Sequence, residues 1–305
     1  MYKKHLISAF YFFMTLFLFA NLHSLTASIN TLTSLLKDKE KIIIESHKTT
    51  KNEKQVLKEL FLNLDPILLE LLNGEKTNKT PEEIKKLLEK ADFNVLKIRA
   101  KHIDEKGTDG YAARLTLLHE KLPDYVIKIG FDNNLPFTNI SRIIRSDFIN
   151  AIINTPEYLI TTIEKVEKKL CKQPNKPNDL IDHNYIILSP LIKGKEGETG
   201  TQEEDLCFKS YTNKHLKDFL TIMELLQYED STPSNIIMNE NNKTVIIDTE
   251  VVNHEYPFYK ELLMIMLESY NEDGKIDLLK LKTFINEQRK KGNLYITLGN
   301  SFFPE

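Results

Sequence analysis

The hydrophobic period of this chain switches repeatedly between that of a helix and that of a strand, and this restricts its architecture more than any other feature. Residues Ile29–Ile44 and Gln55–Leu72 carry apolar side chains at three- and four-residue spacing, the mark of amphipathic helices. Thr80-Pro81-Glu82-Glu83 reads as a capping box with proline at the first helical position, opening the helix EEIKKLLEKA. From Phe93 the period drops to two. FNVLKIRAKHI, ARLTLLHE and LPDYVIKIG alternate in turn, with Gly107 and Gly110 between the first pair. That is a β-meander of three strands. The helical period then returns over Asn139–Ile153 and in a charged stretch, Glu157–Leu170. NYIILSPLI reads as a further strand, KGKEGETGTQEED as an exposed acidic loop and Lys214–Tyr228 as a helix. SNIIMNENNKTVIID reads as a hairpin turning at Asn239–Asn242, and Tyr256–Tyr270 and Asp277–Gln288 as closing helices. Helices, a small sheet and more helices make an α+β chain.

Composition narrows the function classes. At 41% hydrophobic, 305 residues can bury one large core or two smaller ones. Two cysteines exclude a disulfide scaffold and any zinc module built on four cysteines. The 41 basic and 44 acidic side chains leave a net charge of −3, so no basic excess points to nucleic acid. Ten glycines leave few places for a phosphate-cradling loop. The eight histidines form no H-E-x-x-H, and no G-x-S-x-G elbow occurs. Cys171 and Cys207 could pair after export or remain two thiols.

The first 28 residues read as a secretory signal peptide. Lys3 and Lys4 precede the uncharged run Leu6–Ala20, and Thr26-Ala27-Ser28 supplies a small-residue cleavage site. The expected location is secreted or periplasmic, with no membrane contact after cleavage. An uncleaved N-terminal anchor is the alternative. Residues 29–92 form a helical extension without a chemical constellation, either packed on the rest of the chain or acting as a separate interaction module.

The chemistry lies in YEDSTPSNIIMNENNKTVIIDTE. Asp230, Asn235 and Asp248 follow one another as D-x4-N-x12-D. Asn235 opens one hairpin strand and Asp248 closes the other, so a tight hairpin brings both to one place. Oxygen donors of this type suit Mg2+. Asp230, in a loop after a helix, is placed to receive a hydroxyl proton. Taken singly, Asp230 reads equally as a turn former and Asn235 as its cap. An acid ending the apolar strand Val245–Ile247 needs a partner or a metal.

This order resembles the catalytic loop and metal aspartate of the protein-kinase-like superfamily, which includes protein kinases and aminoglycoside-phosphotransferase-like kinases. Upstream, YVIKIG is similar to the strand whose lysine pairs the α/β-phosphates, here Lys128. The turn holding Gly107 and Gly110 stands where a phosphate-covering loop belongs. The helix after Lys128 offers Asp147 as its ion-pair partner. The strand Asn184–Leu191 stands where the nucleotide hinge begins, with Leu188 and Leu191 against the nucleotide. The resemblance implies a two-lobed fold with a small antiparallel sheet in an N-lobe, residues 93–191, and a compact, mainly helical C-lobe, residues 192–305. It implies an ATP- and Mg2+-dependent phosphotransferase. Lys128 would hold the phosphates, Asp230 would act on the acceptor hydroxyl, and Asn235 and Asp248 would hold the metal. The partners are then a nucleotide and a protein or small-molecule acceptor.

The chain also departs from that pattern. Tyr228 and Glu229 replace the His and Arg before the catalytic aspartate. Thr232 replaces a lysine, and Asp248 leads into Thr249-Glu250 rather than Phe-Gly. No A-P-E follows, and the phosphate loop is G-x-x-G. These differences point to a compact small-molecule-kinase branch, or to an inactive pseudokinase used as a binding module. Outside the resemblance, Lys128 reads as a solvent-facing strand residue, Asp147 as an exposed helix residue, and the chain as an exported helical interaction protein.

Overall fold

A computed structural model describes residues 31–62, 80–102, 110–130, 138–172, 185–196, 211–227, 235–247, 249 and 257–294. The apolar opening segment, Gly107, Cys207, Asp230 and Asp248 lie outside the described residues. Among the described residues, no helix is long and apolar enough to cross a membrane.

The chain is α+β. Helix α1 covers residues 31–46, α2 Lys51–Leu62 and α3 Pro81–Lys90. Strands β1 (Phe93–His102), β2 (Gly110–His119) and β3 (Tyr125–Gly130) form the expected meander. Helix α4, Thr138–Asn154, separates them from β4 (Lys169–Lys172) and β5 (Tyr185–Pro190). These five strands form one antiparallel sheet in the order β1-β2-β3-β5-β4. A second sheet has the order β6-β7-β8, from Gly194–Glu196, Ile236–Asn239 and Thr244–Ile246. Helices α5 (Asn213–Leu226), α6 (Pro257–Glu268) and α7 (Leu278–Lys291) make the rest of the C-terminal part mainly helical.

Strand alternation divides the core in two. Ile127, Ile129, Ile186 and Leu188 pack with Leu57, Phe61, Ile84 and Leu88 of α2 and α3. On the other face, Leu170 and Ile187 join α4 through Ile144 and Phe148 and reach the C-terminal helices through Leu262 and Ile285. The N-terminal extension contributes to both cores. Leu32, Leu36 and Ile43 of α1 are 1%, 1% and 0% exposed within the second cluster. Burying each stabilises by about 2 kcal/mol. The described part of residues 29–92 packs on the body of the protein, the first of the two expectations.

The short link between α1 and α2 is stitched to the sheet. Leu170 N donates to His47 O at 2.7 Å, and Lys48 bridges Leu170 in parallel. Lys169 pairs with Glu53 at 2.6 Å. A second capping box starts α2 earlier than Gln55: Glu53 N donates to Thr50 Oγ1, and Thr50 N to Glu53 Oε2. Burial alone would raise the Glu53 pKa, but Lys169 and the Thr50 groups outweigh it and hold it low.

Two sequence expectations need correction. Glu157–Leu170 is not a helix. A 3-10 turn at Pro156–Tyr158 ends on Leu159 at φ +52°, and residues 159–168 form no helix. Its amides are taken by distant groups: Thr161 N and Thr162 N donate to Asp218, Glu164 N to Thr244 O and Val166 N to Asn150. The stretch expected as an acidic loop begins instead with β6, where Gly194 and Glu196 pair with Asn239 and Ile237.

Candidate functional site

Period-2 alternation places Lys128. Its neighbours Ile127 and Ile129 point into the core under α2 and α3. Lys128 therefore points to the face that meets α4, the face of its cross-strand partner Ile187. It is half-buried rather than solvent-facing. Its Nζ donates to Ile247 O at 2.9 Å, across 119 positions of sequence.

Ile247 belongs to the hairpin end that the sequence singles out. Ile236 pairs with Ile246, and Ile247 N donates to Asn235 O at 2.9 Å. Asn235, 5% exposed, thus stands beside the residue immediately before Asp248. The turn forms where expected: Asn242 adopts φ +56°, and Asn239 Oδ1 accepts from Asn241 N and Lys243 N. The outer edge of β8 is covered, because Thr244 N donates to Thr162 O at 2.7 Å. Asp218 of α5 anchors that covering segment. Burial works to raise its pKa, but Lys214 and the Thr161 and Thr162 donors prevail and hold it low.

Just past Asp248, Thr249 is 1% exposed. Its Oγ1 donates to Arg142 O of α4 at 2.7 Å and accepts from Lys168 Nζ at 2.7 Å. Lys168 is 2% exposed, at the entry to β4. Arg145, also 2% exposed, donates to Leu226 O, the last residue of α5, where helix carbonyls carry partial negative charge. Buried basic side chains therefore meet the end of α5, which precedes Asp230 in the chain, and the residue that follows Asp248. Sequence reasoning missed Lys168, Arg142 and Arg145. No motif marks them; Arg142 and Arg145 carry one signal, a basic residue among apolar neighbours on a core-facing helix, and Lys168 carries none.

The other expected site residues separate. Asp147 does not meet Lys128. Its Oδ2 accepts from Tyr270 Oη at 2.6 Å and pairs with His47 Nε2 at 2.7 Å. Among the described residues, no ion pair joins it to Lys128. Leu188 lies with Ile127 in the core beneath α2 and α3, on the sheet face opposite Lys128, because it is one position out of phase. Leu191 sits past the end of β5, its N donating to Asp124 O at 2.8 Å, beside His119 and Leu122. Gly110 opens β2 opposite His102, and Gly107 lies outside the described residues. Among the described residues, no group of three His, Cys, Asp or Glu could hold a metal. Cys171 is buried in the sheet, and burial pushes its thiol pKa up.

Asp147 and His47 line a cleft of 640 Å³, with Ser46, Asn150, Lys168 and Gly274. His47 Nδ1 lies 2.7 Å from Lys168 O, and a carbonyl only accepts, so Nδ1 carries a proton. Nε2 faces a carboxylate, so the geometry favours the imidazolium. Burial alone would push the His47 pKa down. The hydrogen bond and charge of Asp147, helped by the Lys168 carbonyl and Glu167, prevail and leave it raised. Burial, aided by Asp147, holds the Tyr270 hydroxyl pKa well above its ordinary value, so it remains a donor.

A scan against protein-family models finds no match, and a search of curated proteins finds no similar sequence.

Proposed function

We propose that the protein is an ATP- and Mg2+-dependent phosphotransferase with a two-lobed, kinase-like fold. One observation carries the reading: Lys128 is bonded to the carbonyl of the residue preceding Asp248, and that same residue is bonded to Asn235. The bond from Lys128 to Ile247 joins parts of the chain 119 positions apart, and it supports the reading that the strand lysine and the hairpin end serve one site. The donors are hard oxygens, the amide of Asn235 and the carboxylate of Asp248, which fit Mg2+. Mg2+ and ATP together would supply the transferable phosphoryl group and neutralise its charge. Lys128 would grip the α/β-phosphates, and Asp230 would orient the acceptor hydroxyl. The acceptor is a protein or a small molecule. The basic and then apolar opening supports export.

A second reading, an inactive pseudokinase serving as a binding module, is favoured by one observation. Asp147 is committed to His47 and Tyr270, so the acid expected to steady Lys128 is engaged elsewhere.

The test is thermal unfolding of the full chain with and without ATP and Mg2+, for wild type, Lys128→Met and Asp248→Asn. A rise in Tm in wild type only is expected, because ligand binding stabilises the folded state by mass action. No rise in wild type sinks nucleotide binding. Transfer of labelled phosphate, lost in Asp230→Ala, separates the active enzyme from the pseudokinase.

A further inference from the structure

Thr249 is buried, so its hydroxyl must be satisfied by hydrogen bonds. Here it is satisfied in both senses, donating to Arg142 O and accepting from Lys168 Nζ, each at 2.7 Å. On the other side of Asp248, Ile247 is held through its carbonyl by Lys128 and through its amide by Asn235, each at 2.9 Å. Both chain neighbours of Asp248 are thus tied to fixed elements: β3 and β7 on one side, α4 and the entry to β4 on the other.

We propose that Lys168 and Thr249 are positioning residues that hold the strand end around Asp248 for metal-dependent nucleotide binding, through a buried lysine–hydroxyl–carbonyl chain. The inference rests on the phosphotransferase reading above. Lys168 is itself seated from the far side, because its carbonyl bonds His47 Nδ1 at the junction of α1 and α2. The chain therefore runs from the N-terminal extension to the segment on both sides of Asp248. Neither residue needs to touch ATP.

The experiment compares full-length wild type with Thr249→Val, Thr249→Ser, Lys168→Met and Lys168→Arg. The Kd for ATP is measured by calorimetry, once with excess Mg2+ and once with EDTA. Thr249→Val and Lys168→Met are expected to weaken Mg-ATP binding about tenfold, the worth of one hydrogen bond to a charged group. Metal-free ATP should change less than about twofold, because Lys128 is untouched. Thr249→Ser and Lys168→Arg restore the hydrogen bond and should restore the Mg-dependent affinity. The double variant Lys168→Met/Thr249→Val should be no weaker than either single one, since one chain is broken once. Equal losses with and without Mg2+, or failure of Thr249→Ser to rescue, would overturn the positioning role. Hydrogen exchange of the peptide spanning residues 245–250 reads the tether without any nucleotide. Exchange about tenfold faster in Thr249→Val than in wild type is expected. A wild type that binds no ATP while that exchange difference persists removes the phosphotransferase reading and leaves the tether. Unchanged exchange removes the tether itself.

Discussion

Asp147→Asn tests how the N-terminal extension is attached. Asp147 Oδ2 takes one hydrogen bond from Tyr270 at 2.6 Å and one from His47 at 2.7 Å. An asparagine oxygen can still accept from Tyr270, but it cannot hold an imidazolium. The loss is therefore about one charge-assisted hydrogen bond, about 2 kcal/mol. Side-chain exposures of 9% for His47 and 16% for Asp147 leave little solvent to screen the pair. For a chain of 305 residues, that is roughly 3 °C in Tm. The dependence on pH gives the sharper readout. The folded-state pKa of His47 is raised above its ordinary value of 6.5. Its contribution is therefore complete below that value and is lost as pH rises through the folded-state value. Thermal unfolding of wild type, Asp147→Asn, His47→Gln and the double variant at about pH 6 and about pH 9 measures both the size and the sign. The Asp147→Asn penalty should be large at the lower pH and shrink at the higher. The two single penalties should not add at the lower pH. Equal penalties at both pH values, or strict additivity, would refute a charged His47–Asp147 link.

Asp218→Asn should cost about 2–3 kcal/mol, because Asp218 Oδ2 accepts from Thr161 N, Thr162 N and Thr162 Oγ1, each at 2.9 Å. With the Asp218 pKa held low, that stabilisation is present above 3.8 and is lost as pH falls through the folded-state value; a pH series of denaturant melts checks it. Leu36→Ala should cost about 3 kcal/mol and lower the single global transition, because α1 shares the core of the C-terminal helices. An unchanged main transition in calorimetry would show that α1 folds apart from them.

The hairpin end of the candidate site was legible because its signals are short. The hairpin carries its own turn residues, and two strands joined by a tight turn must bring Asn235 beside the residue preceding Asp248. Lys128 was legible as a strand residue, although its face depended on which side of the sheet the helices cover. Asp147 misled. Its position on the helix after Lys128 matches the resemblance, but no rule of spacing reveals that His47, 100 residues earlier, and Tyr270, 123 residues later, take its carboxylate.

The sequence by itself determined the elements whose hydrogen bonds close locally or between strands consecutive in the chain. These are the Thr80 and Thr50 capping boxes, the meander and the Asn239–Asn242 turn. Tertiary structure alone decided the elements whose backbone partners are remote. Residues 159–168 have a helical pattern of charges, yet Asp218, Thr244 and Asn150 take their amides before any i→i−4 ladder can form. It also decided that the extension joins both cores, and that Lys168 and Thr249 close on the segment around Asp248. A hydrogen bond across such separations depends on the path of the whole chain, which no local pattern encodes.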